Sequence, residues 1–184
     1  MKIQFLLPAL LAVMLGACSK KDSDVTIPNT PRSEVPDELV DQWLNGTFAM
    51  SEWWSYDGTK YEGNPYERST AFNFSKDGSA EFYLAINIYN GWCRTEGLTY
   101  QKGTVKFDEA NHSFTVYPQQ GNYRGLYSCA PESNFDRPAT ADELKPVTYY
   151  YTMTTDEYGK EWMVITFHPN DPIEYGSYFK RTAW

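Results

Sequence analysis

Hydrophobic residues follow three regimes along the chain. Residues 3–15 are apolar without a single charge, residues 19–35 contain almost nothing apolar, and from Thr47 onward apolar and polar residues alternate. Alternation at period two is the mark of strands with one face on a core and the other in water. Nine stretches carry it: 47–56, 69–75, 79–89, 99–107, 113–117, 123–129, 147–155, 161–167 and 175–181. The clearest is 79–89, with Ala80, Phe82, Leu84, Ile86 and Ile88 on one face and mostly polar residues on the other. Short connections with turn chemistry separate neighbours, among them Lys76-Asp77-Gly78, Asn90-Gly91 and Asp156-Glu157-Tyr158-Gly159. Such connections make hairpins.

Two segments break the alternation. Residues 36–44 predict a short helix, with Pro36 at its first position, Asp37 and Glu38 at the positive end of the dipole, and Asn45-Gly46 as its stop. Leu39, Val40, Trp43 and Leu44 then share one side. Residues 130–146 form the one long connection, in which Thr140 and Glu143 have capping-box spacing. Consecutive hairpins predict an all-β antiparallel meander. About eight or nine strands remove their edges most simply by closing into an up-and-down barrel. A β-sandwich is the alternative.

The apolar run at 3–15 is too short to span a bilayer, which takes about 18 or more apolar residues, and Pro8 interrupts it. It ends in Leu15-Gly16-Ala17-Cys18, which closely resembles the lipobox of bacterial lipoproteins. The resemblance implies cleavage before Cys18, acyl chains on that cysteine, and a protein held on a membrane of the bacterial envelope, the outer membrane being the expected one. The chain then divides into a signal peptide (1–17), a lipidated cysteine with a flexible tether (18–35) and a β domain (36–184). Residues 19–35 bury too little apolar surface to offset their ordering entropy.

Losing residues 1–17 removes one charge, Lys2, and moves the formal charge from −8 to −9. That balance, without a basic cluster, excludes nucleic acid as a partner. Beyond Cys18, Cys93 and Cys129 remain as an even pair in an exported chain, so a disulfide between them is the preferred reading. It would close a loop of about 37 residues, worth roughly 3.8 kcal/mol in the chain-entropy model. Two unpaired thiols are the alternative.

A further resemblance lies in the domain. The run Trp43-Leu44-Asn45-Gly46-Thr47-Phe48 resembles the start of a lipocalin-like barrel. Residues 72–79 (FNFSKDGS) and 175–181 (YGSYFKR) are similar to exported bacterial lipocalin-like lipoproteins. The resemblance implies a non-enzymatic, membrane-anchored barrel that binds a small ligand.

The residues themselves say little about chemistry. His112 and His168 both sit in turns without ligand spacing, so neither a metal nor a cofactor is expected. No phosphate loop, dinucleotide fingerprint or nucleophile elbow occurs. Glu81, Glu96, Glu161 and Glu174 lie on or near strands, where outward solubilising charges are the simple reading and paired catalytic carboxylates the remote one. What stands out is aromatic: 17% of the chain, with fifteen Tyr and six Trp. Trp53, Trp54, Tyr56, Trp92, Tyr123, Tyr127, Tyr149, Tyr151 and Trp162 are the candidate ligand-binding residues. Inward rings either line a pocket for an apolar or glycan-like ligand or simply fill the barrel. In the second case the domain is a packed module for an envelope protein partner, with the 130–146 connection, pinned by Cys129, as its recognition surface.

Overall fold

Alternating side chains become paired strands wherever a neighbour can satisfy the backbone. The computed structural model describes residues 26–47 and 68–183. Cys18, Trp53, Trp54, Tyr56 and most of the 47–56 stretch lie outside the described residues. β2 (Arg68–Phe74), β3 (Ser79–Tyr89), β7 (Val147–Thr155), β8 (Glu161–Thr166) and β9 (Ser177–Arg181) fall within two residues of their expected ends. β4 (Arg94–Asp108) begins earlier than its apolar pattern, because the Asn90-Gly91 turn brings it back in full register along β3, from Tyr89↔Arg94 to Ser79↔Thr104.

The stretches 113–117 and 123–129 are one strand rather than two. β5 (Ser113–Tyr127) runs through Pro118 and Gly121 because a bulge in the β4–β5 ladder, between Lys102 and Gly103, absorbs the irregularity. Pro118 has no N–H to donate, so it suits a bulge. Gly103 is needed opposite it, since a Cβ there would stand 2.1 Å from the Tyr117 carbonyl oxygen.

The expected helix at 36–44 is not present. A single turn closes with Leu39 N–H and Val40 N–H donating to the Pro36 carbonyl (2.9 and 3.2 Å), and the chain then enters β1 (Asp41–Asn45). The reason is tertiary. β1 pairs with β2 on one side and β9 on the other, and as a strand it sends Trp43 into the core and Leu44 to a second cluster with Ala71, Tyr83 and Leu98. A nine-residue helix has little stability of its own to set against that pairing.

All nine described strands lie in one antiparallel sheet, in the order β4-β3-β2-β1-β9-β8-β7-β5-β6, where β6 is Phe135–Pro138. The β4–β5 pairing closes eight of them into a ring, so the fold is all-β and barrel-like. Each strand of the ring neighbours its sequence neighbour apart from the β6 excursion. β5 makes that possible by using one edge twice: residues 113–116 pair with β7, and residues 122–125 pair with β6.

Part of the expected tether is docked. Beyond Thr104, β4 outruns β3 and presents a free edge, which residues 27–35 cover. Ile27 N–H donates to the Gln119 carbonyl (2.8 Å), Ser33 N–H to the Val105 carbonyl (3.1 Å), and the Thr104 hydroxyl to the Pro31 carbonyl (2.7 Å). Val35 and Leu39 are fully buried and join the main core. Composition alone misses this, because the segment is held by backbone and hydroxyl bonds and only one apolar anchor before Pro36 is fully buried.

The core is a pile of rings. Phe72 of β2 lies 5.2 to 5.6 Å, centroid to centroid, from Phe74, Phe82, Phe114, Tyr149 and Phe179. Phe114 of β5 continues the pile to Phe107 (5.4 Å) and Tyr149 (5.3 Å). Offset and edge contacts of this kind add about 0.5–1.5 kcal/mol per pair beyond area burial. Phe72→Ala is expected to destabilise the fold by about 3–5 kcal/mol, read as a drop in the urea midpoint; a loss below about 1 kcal/mol would contradict its central place.

Candidate functional site

The ring's two ends are built differently. At the end carrying the 108–112 turn, Phe107, Phe114 and Tyr151 pack on one another and Val35 and Leu39 stopper the space. At the other end, β3, β4 and β5 rise past the short strands and β6 joins them. Register puts Leu84 and Ile86 of β3, Gly97 of β4, Tyr123 of β5, and Phe135 and Arg137 of β6 on the inward side. Phe72, Phe82, Phe114 and Tyr149 form the floor beneath them.

Two glycines shape this mouth. Gly97 faces Gly125 across the β4–β5 ladder. The Phe135 ring lies flat against Gly125, where a Cβ would come within 2.2 Å of it, whereas nothing stands within 4 Å of a Cβ built on Gly97. The wall is therefore bare backbone beside Ile86 and Phe135.

The disulfide holds the rim. Cys93 and Cys129 are bonded, with Cα atoms 5.1 Å apart, as expected of the pair left beside Cys18. Beside it, Arg94 N–H donates to the Ser128 hydroxyl (2.8 Å) and Ser128 N–H to the Arg94 carbonyl (2.9 Å). The 130–146 connection is thereby pinned, and Tyr127 N–H donates to Asn134 Oδ1 (2.7 Å) to fold it back.

That connection delivers a polar network to the mouth. The expected capping box forms: Glu143 Oε2 accepts from Thr140 N–H (2.8 Å) and from its hydroxyl (3.0 Å), at the start of the 3₁₀ turn Ala141–Leu144. Arg137 grips the same carboxylate with both terminal nitrogens (2.8 and 2.7 Å), a bidentate fork that fixes direction as well as charge. Its guanidinium carbon lies 5.5 Å from the ring centres of both Tyr123 and Phe135. Gln101 Nε2 donates to the Tyr123 hydroxyl oxygen (3.2 Å) and to the Glu143 carbonyl (2.9 Å). Hydrogen bonds from Arg137 hold the Glu143 carboxyl down at about 2, with the Thr140 bonds acting in the same direction. Burial raises Tyr149 to about 12, so its hydroxyl keeps its proton.

The expected ligand-binding rings divide. Tyr123, Tyr127 and Tyr149 face the mouth and its floor, and Tyr151 faces the packed end. Two stand elsewhere. Trp92 sits 74% exposed at the tip of the β3–β4 hairpin, because the tight Asn90-Gly91 turn leaves it no wall to pack on. Trp162 faces outward from β8, where it packs on Tyr178 (6.3 Å) beneath Lys160. Arg68, Gln101, Phe135 and Arg137 were not singled out from sequence, and Glu143 was read only as a cap. Parity could have found Arg68, since residues 68, 70, 72 and 74 share a face.

Glu81 and Glu96 stand far apart on the sheet. Glu81 lies on the outer face, accepting from Asn73 Nδ2 (3.2 Å) and the hydroxyls of Tyr83 (3.1 Å) and Tyr100 (3.2 Å). Burial and the neighbouring Glu81 charge raise both phenols, Tyr100 to about 12. Glu96 is buried at 7% exposure rather than solvated. Glu81 pairs with Lys102, six residues along β4 from Glu96, a separation of about 20 Å at strand rise and well beyond glycosidase spacing. His112 and His168 are both exposed. Among the described residues no group of three His, Cys, Asp or Glu is placed to hold a metal. A cleft of about 560 Å³ lined by Glu38, Glu109, His112 and Asp171 lies outside the ring at its packed end.

Because the folded Glu143 carboxyl is depressed from 4.5 to about 2, its stabilisation is fully present above pH 4.5 and is lost as pH falls toward 2. Glu143→Gln is expected to cost about 1–2 kcal/mol at pH 7, allowing for solvent screening. The gap to wild type should shrink as pH drops from 5 to 2, as thermal unfolding across that range would show. A gap unchanged down to pH 2 would contradict the assigned fork.

No family model matches the sequence, no curated protein matches it, and no solved structure matches the fold.

Proposed function

We propose that the protein is a non-enzymatic lipoprotein of the bacterial envelope, anchored through acyl chains on Cys18, whose lipocalin-like barrel binds a small apolar or glycan-like ligand at its mouth. The observation that carries the reading is the bare Gly97 backbone between Ile86 and Phe135, over a floor of packed rings. An apolar wall with a few fixed polar groups is the general form of a small-molecule site. The dense pile around Phe72 supports a ligand seated at the mouth rather than deep in the ring. Anchoring through acyl chains is physically adequate, since each buried methylene contributes about 0.8 kcal/mol and more than one chain gives durable attachment.

A second reading has its own observation in favour. The ring pile and the rigidly braced, exposed Trp92 suit a packed module that docks on an envelope protein. Native mass spectrometry of full-length protein extracted from membranes separates the two. The first reading expects a chain starting at an acylated Cys18, plus a non-covalent mass lost on collisional activation or gained from a panel of fatty acids and oligosaccharides. Only the ligand-free mass, with no uptake, would overturn it in favour of the second. An unmodified Cys18 would overturn the anchor.

A further inference from the structure

The mouth carries more positive charge than the described network neutralises. Arg68 opens β2 opposite Ile86, on the side of the sheet shared by Phe72 and Phe74, and is exposed at the rim. Among the described residues no carboxylate pairs with it. Of the acids in the 130–146 connection, Glu143 is gripped by Arg137 and bonded to Thr140, Asp136 pairs with Arg124 and Asp142 with Lys145. In a chain with formal charge −8, a rim guanidinium with no carboxylate partner among the described residues is a local inversion.

The other polar groups beside it are donors. Tyr149, on the floor between Phe72 and Phe114, makes no described hydrogen bond through its hydroxyl and lies within electrostatic reach of Arg68 and Tyr123. The Tyr123 hydroxyl oxygen accepts from Gln101, which leaves its own proton free to donate. One guanidinium and two phenolic O–H groups share this side of the sheet, with the Glu143 carboxylate already taken. Such a set complements an anion, and a carboxylate fits a guanidinium's paired N–H groups best. The surfaces alongside are apolar: Leu84, Ile86 and Phe135, with open space above Gly97.

We infer that the mouth selects an apolar-bodied carboxylic acid, its carboxylate held by Arg68 with the Tyr149 and Tyr123 hydroxyls and its body laid along β3 over Gly97. This rests on the ligand-binding reading of the mouth and adds the ligand class. No bond is made or broken; the acid binds as its anion.

The test uses full-length lipidated protein in nanodiscs and two water-soluble probes of matched shape, 4-phenylbutyrate and neutral 4-phenylbutanol, titrated by ligand-observed NMR at pH 7 against empty nanodiscs. The acid should bind at least ten-fold tighter than the alcohol. Arg68→Gln should weaken the acid about ten-fold or more, the scale of a charged hydrogen bond, and change the alcohol less than two-fold. Tyr149→Phe should weaken the acid about three-fold. Arg68→Lys, which keeps the charge without the fork, should retain binding between wild type and Arg68→Gln and guards against a folding defect. Equal binding of acid and alcohol, or an Arg68→Gln variant that holds the acid as well as wild type, overturns the carboxylate inference while leaving the pocket standing. Binding of neither probe overturns the pocket itself and this inference with it.

Discussion

The contact between Phe72 and Phe114 holds the two halves of the ring to one another. Their rings meet edge-on at 5.6 Å, one from β2 and the other from β5, strands that are not neighbours in the sheet. Phe74, Phe82, Phe107, Tyr149, Tyr151 and Phe179 each lean on one of the pair. A ring of eight strands with ladders as short as the two residue pairs between β1 and β9 gains little from hydrogen bonds alone, whose net contribution is about 1 kcal/mol each. Filling the space between opposite walls makes the closure stable, and aromatic side chains fill it with few torsions to freeze.

That filling decides where function can sit. Rings occupy the half of the barrel where all eight strands meet, so recognition moves to the half where β3, β4 and β5 run on alone. There β6 replaces β7 along the same edge of β5, and the strand change brings in Phe135 and Arg137. The disulfide and the capping box fix the connection that carries them. One long loop thus completes the wall and supplies its polar groups.

Much of the fold was legible from alternation, because period two is a local consequence of a half-buried strand. β3 and β7 could be read to the residue, and Cys93 with Cys129 as the even pair beside Cys18. The misreadings share a cause. Residues 36–44 carry sound helix signals, yet Trp43 and Leu44 serve opposite faces of a sheet whose other strands come from far along the chain. Pro118 reads as a strand break until its bulge partner Gly103 is known. The 27–35 segment looks unable to order itself, and it does so only by borrowing a free edge of β4.

The mouth was less legible than the fold. Counting aromatic residues drew attention to Trp92 and Trp162, which face away, because ring type says nothing about side. Parity along β2 does give Arg68 the side of Phe72, but its meaning depends on Glu143 being satisfied by Arg137, a contact made through the register of β6 on β5. Conformations fixed by long-range pairing leave only faint local marks.

The most direct measurement is the set of proton–proton cross-relaxation contacts among specifically labelled Phe and Tyr rings in solution. The account expects strong contacts from the Phe72 ring to the rings of Phe114, Tyr149 and Phe179, together with amide contacts across Phe107 and Phe114 in the β4–β5 ladder. Strand-neighbour contacts without any between Phe72 and Phe114 would mean that the sheet does not close around a filled interior.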